Sequence, residues 1–112
     1  MSRITRRTSI QVHIARMVKR IAKKFDPELI ILFGSQARGD AGPDSDVDLL
    51  VVMDVEGSRL EKSVEIRLAL REFLVPMDII VTRPEEFAWR KDVVGTIEWP
   101  ASREGKILYA RV

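Results

Sequence analysis

The residues best placed to do chemistry are three acids and a glycine–serine pair. Asp46 and Asp48 stand one residue apart at the head of an apolar run, Leu49-Leu50-Val51-Val52. Strand side chains alternate faces, so the two carboxylates would share one face, about 7 Å apart, while Val47 turns into the core. They repel each other unless a cation lies between them. Asp78 sits in a later apolar run, Met77 to Val81, and completes the group if that strand lies beside the second. Three carboxylates suit one or two magnesium ions, because hard cations take oxygen ligands. A buried strand gains nothing in packing from starting with acids, since uncompensated charge is costly to desolvate. The plainer alternative is that Asp46 ends a turn and Asp48 lies at a wet strand mouth.

Phe33-Gly34-Ser35 follows another apolar run, Leu29 to Phe33. Glycine lets backbone approach a phosphate closely, and Ser35 would open a short helical turn over Gln36-Ala37-Arg38 whose N–H groups and hydroxyl can hold an anion. Arg38, one turn on, could face the same phosphates. Taken singly, the pair is also compatible with an ordinary turn. Together, a phosphate cradle followed by strand-borne metal ligands brings a nucleoside triphosphate and magnesium to one place, as phosphoryl-type transfer requires.

The elements that would position these groups follow from apolar spacing. Ile10, Ile14, Met17, Val18, Ile21 and Phe25 recur every three or four residues, one face of an amphipathic helix that Asp26-Pro27 ends. Residues 29–33 read as a buried strand, 34–45 as a small polar loop, and 46–52 as a central strand covered on both faces. Ser58 and Glu61 match a capping box opening a second helix, with Leu60, Val64 and Leu68, flanked by Leu70 and Leu74, as its core stripe and Pro76 as its stop. Arg67 falls inside that stripe. Residues 77–81 form a third strand, Pro84-Glu85-Glu86-Phe87 starts a helix, and Ile107-Leu108-Tyr109 is an edge strand or docking segment. Trp89 and Trp99 are expected to pack in the core or at an edge. The fold class is therefore α/β (α+β), a small mixed sheet packed with helices.

Composition bounds the alternatives. The 112 residues make one domain, 1–112, with 1–9 read as a flexible basic tail. With no cysteine and one histidine, His13, thiolate zinc sites, disulfides and His-based triads are excluded. No apolar run approaches the roughly 20 residues that span a bilayer, and no secretory pattern follows the basic start, so a cytoplasmic protein without membrane contact is expected. Eight of the 19 basic residues fall within residues 1–25, which hold no acid, leaving eleven against 17 acidic ones in the remainder. A basic front of this kind can meet acidic partners, but no aromatics interleave with it, and direct nucleic-acid binding is not expected.

The stretch Phe33-Gly34-Ser35-Gln36-Ala37-Arg38-Gly39, the ten residues between Ser35 and Asp46, and Ser45-Asp46-Val47-Asp48-Leu49 closely resemble the minimal nucleotidyltransferases of the DNA polymerase β superfamily, over roughly residues 10 to 110. That resemblance implies a polymerase-β-like palm, with Asp46 and Asp48 binding two Mg2+ ions and Asp78 as third ligand and general base. Gly34 and Ser35 would hold the phosphates of ATP, and Arg38 would be a further phosphate contact. Small stand-alone members are typically paired with an all-helical HEPN-type ribonuclease toxin, and some transfer AMP onto its tyrosine. The resemblance thus implies a protein adenylyltransferase acting as antitoxin. Its rivals are an antitoxin that works by binding alone, through the basic front or the tryptophans, and transfer to a small molecule.

Overall fold

The computed structural model describes residues 2–42 and 44–111; the side chains of residues 2–9, with Arg3, Arg6 and Arg7, and Pro43 of the loop lie outside the described part. The order is α1 (Ser2–Phe25), β1 (Leu29–Phe33), α2 (Ser35–Arg38), β2 (Val47–Val52), α3 (Arg59–Ala69), β3 (Met77–Thr82), α4 (Pro84–Arg90), α5 (Glu98–Glu104) and β4 (Lys106–Ala110). α1 thus takes in the segment read from the sequence as a tail.

The described strands form one mixed sheet in the order β3-β2-β1-β4. β1 runs antiparallel to both β2 and β4, and β2 and β3 are parallel, joined by α3 as a βαβ unit. Ile107 to Tyr109 is indeed an edge strand. The sheet is covered on both faces. Ile30, Leu32, Leu49, Val51, Ile79 and Val81 pack against Ile14, Met17, Val18 and Ile21 of α1 and Ile66 of α3. On the other face Ile31, Phe33 and Leu50 pack against Ala101 of α5, with Ile80 and Phe87 alongside. β2 is central and its last four residues are buried, as their unbroken apolar run requires. A buried hydrogen bond fastens α5 to β3: the Thr82 hydroxyl donates to Glu98 Oε2 at 2.8 Å.

α3 corrects the sequence reading. Its cap is as expected, the Ser58 hydroxyl accepting from Glu61 N–H at 3.1 Å. Its buried residues, however, are Ser63, Ile66 and, at the C-cap, Leu70. Leu60, Val64 and Leu68 are 74, 49 and 57% exposed, and Leu74 is 95% exposed. The helix ends at Ala69, well short of Pro76. α3 lies under a sheet edge, so only a narrow side of it meets the core, and the more apolar stripe faces outward. Trp89 is also 57% exposed rather than packed away.

Candidate active site

The lip of the sheet, where β1 ends and β2 and β3 begin, gathers the predicted groups. β1 delivers Gly34 and Ser35 at its C-terminal end. Gly34 adopts φ 73° and ψ −159°, a conformation essentially reserved for glycine. A Cβ there would overlap Asp48 Oδ2, so the glycine is required twice, by its dihedrals and by the carboxylate pressed against it. α2 is a single turn closed by Ala37 and Arg38 N–H donating to Gly34 C=O, both at 3.1 Å, and ended by Gly39 in the left-handed region. A helix start leaves its first N–H groups without intrahelical partners, here those of Ser35 and Gln36.

The return to β2 is braced. The Gly42 N–H donates to the Ser45 hydroxyl at 2.8 Å, the Ser45 N–H to Gly42 C=O at 3.2 Å, and the Gln36 amide to Ser45 C=O at 3.5 Å. Ser45 is therefore a positioning residue that sequence reasoning left without a role. Its signal is a serine directly before the first acid, where a hydroxyl commonly ties a turn.

Asp46 immediately precedes β2, while Asp48 lies within it. Asp48 and Asp78 are direct neighbours in the parallel β2–β3 register. Both share parity with Leu50 and Ile80, and so point to the α5 face of the sheet. Asp48 is half-buried, Asp46 and Asp78 exposed. Burial, first, and then the charges of Asp78 and Asp46 push the Asp48 carboxyl above its usual range, with Arg38 opposing them. Asp46 and Asp78 are thus both near enough to act on Asp48, although among the described residues no three acids are drawn in to enclose an ion. An all-oxygen donor set with mutual repulsion fits a hard divalent cation, which would supply the missing counter-charge. Arg38 is at this lip too, but exposed, and paired with Asp40 at 3.3 Å and Glu104 at 4.0 Å.

Two grooves approach the lip. The larger, about 750 Å³ between α1 and β4, reaches Gln36, Gly39 and Ala41 but none of the three acids. The second, about 650 Å³, runs along the open edge of β3 beneath α3 and includes Asp78.

A nucleotidyltransferase domain model matches residues 14–102, which includes every element of this site. The chain belongs to the nucleotidyltransferase domain family. Comparison with curated proteins finds no match. Among solved structures, a protein from Sulfolobus solfataricus assigned as a nucleotidyltransferase is similar over 99% of this chain and 89% of its own, at 24% identity and TM-score 0.66. A toxin–antitoxin structure with AMP-PNP is similar over 87% of this chain and 73% of its own, at 19% identity and TM-score 0.55. The structure of a tri-AMPylated Shewanella oneidensis HEPN toxin in complex with MNT antitoxin matches over 90% of this chain and 72% of its own, at 19% identity and TM-score 0.53. These likenesses establish a shared polymerase-β-like fold. Among the described residues no helix is long and apolar enough to cross a membrane.

Proposed function

We propose that this nucleotidyltransferase domain transfers AMP from ATP to a tyrosine of a HEPN-type toxin and acts as its antitoxin. The observation that carries the reading is the pairing of Asp48 with Asp78 across β2 and β3, with Asp46 beside them and Gly34 pressed against Asp48. The toxin–antitoxin complexes of similar fold, one with AMP-PNP and one with an AMPylated toxin, support the choice of nucleotide and acceptor.

In this reading the triphosphate rests on the Gly34–Ser35 turn and its free N–H groups. Asp46, Asp48 and Asp78 would hold two magnesium ions, whose charge would offset the negative charge that develops on the phosphate oxygens. The acceptor hydroxyl attacks the α-phosphorus; a phosphorus–oxygen bond to the acceptor forms and the bond to pyrophosphate breaks. Asp78, exposed at the sheet edge, takes the hydroxyl proton. Asp48, the most buried of the three and repelled by the other two carboxylates, gains most from the counter-charge of a bound cation.

Incubating the chain with labelled ATP, magnesium and the toxin encoded beside it provides the test. Label on the toxin, lost in Asp46→Ala while the two proteins still bind, is the expected result. Toxin inhibition unaffected by Asp46→Ala would instead establish neutralisation by binding alone.

A further inference from the structure

The outward stripe of α3 is not needed for the core, yet it is the most apolar side of that helix. Leu60, Val64 and Leu68 line up at intervals of four on solvent. Leu60 and Val64, with Arg67, line one wall of the groove whose floor is the β3 edge, from Asp78 to Val81. That edge is open. Val47 N–H donates to Pro76 C=O and Met53 N–H to Thr82 C=O, so the backbone of even-numbered β3 residues turns toward β2. Met77, Ile79 and Val81 therefore present their N–H and C=O groups outward, a template for another strand.

The charges of the groove are unevenly committed. Arg59 and Arg83 both reach Glu86, at 3.5 and 3.4 Å, and Arg83 also donates to Val55 C=O and Gly57 C=O. Arg67, in the middle of the apolar stripe, forms no ion pair among the described residues, whereas its helix neighbours Lys62 and Glu65 pair with each other. One end of the groove is Asp78, the group assigned to receive the acceptor proton.

We infer that this groove docks the acceptor protein through an extended stretch that adds to the β3 edge, lays apolar side chains on Leu60 and Val64, and sets a carboxylate against Arg67. A chain laid there runs directly past Asp78, so docking and delivery of the acceptor hydroxyl become one event. Binding energy from the remote stripe then positions the reacting oxygen. The inference rests on the transferase reading for its acceptor, but the surface itself can be tested apart from it.

The full chain is given ATP, magnesium and either of two acceptors: the toxin encoded beside it, or N-acetyltyrosinamide, which is too small to need a docking surface. Val64→Glu and Arg67→Glu alter solvated positions, and thermal unfolding verifies that both variants remain folded. Each should weaken toxin binding by calorimetry, and toxin labelling, by about tenfold or more. Labelling of N-acetyltyrosinamide should stay at the wild-type rate. Wild-type binding and labelling of the toxin in both variants overturns the inference and leaves the transferase intact, as does equal loss with both acceptors. A wild-type chain that labels neither acceptor removes the proposed reaction instead, and the calorimetry still decides the surface: weakened binding upholds it, while unchanged binding, or none by the wild type, overturns it.

Discussion

Between Gly34 and Asp48 each group is placed by its immediate neighbours, whereas along α3 placement depends on where the helix lies against the sheet. In the first region a strand must end, a glycine must take φ 73°, and two acids must follow at the head of the next strand. In the second, two apolar stripes compete for one narrow contact, and the weaker one, Ser63 with Ile66 and Leu70, is buried. Local constraint leaves little choice at the lip, and the geometry of a sheet edge makes the choice for α3. Substitution in the lip should therefore remove function or strain the backbone. On α3 the outcome should depend on which stripe is touched.

The widest separation is expected from Asp48→Asn. It should lower AMP transfer by about a hundredfold or more, measured as initial rate of toxin labelling. The metal-free protein should unfold at the same or a higher temperature, because ionised Asp48 is disfavoured by burial and by two neighbouring acids. Near-native turnover in this variant would take Asp48 out of the reaction. Next in size, Ile66→Ala should destabilise the fold by about 2–5 kcal/mol in denaturant unfolding, as for other fully buried isoleucines. A smaller loss, about 1–3 kcal/mol, is expected for Gly34→Ala, from a conformation alanine resists, with transfer impaired as well because Asp48 must move. Least of all, Leu68→Ala should change stability by no more than about 0.5 kcal/mol, the usual range for solvated positions. Equal costs for Ile66→Ala and Leu68→Ala would mean that α3 is seated on its other stripe.

Much of the fold and site was readable from local rules. The face of α1 from Ile14 to Ile21, the stop at Asp26-Pro27, the Ser58 cap, the central β2 and the turn after Gly34 all obey spacing or capping requirements that act within a few residues. The placement of Asp78 was conditional on the neighbourhood of two strands 30 positions apart. The β2–β3 register meets that condition. Ser45 was visible as part of a motif, but its role as a brace shows only once Gly42 and Gln36 close around it. The exposure of Leu60, Val64, Leu68 and Trp89 contradicts what hydrophobicity alone suggests. Burial depends on the area a neighbour offers, and periodicity reports the stripe without the neighbour.

The amino-acid sequence by itself determined the type of donors at the lip, their separation along the chain and the glycine at the turn after the first strand, because these follow from side-chain chemistry and the two-residue repeat of a strand. Only the tertiary structure decided that β3 lies parallel to β2 with Asp78 level with Asp48, that β3 keeps an open edge, and that α3 turns its leucines to water. Those outcomes arise from contacts between segments far apart in the chain, where the shared burial of the whole sheet outweighs the preference of any one helix.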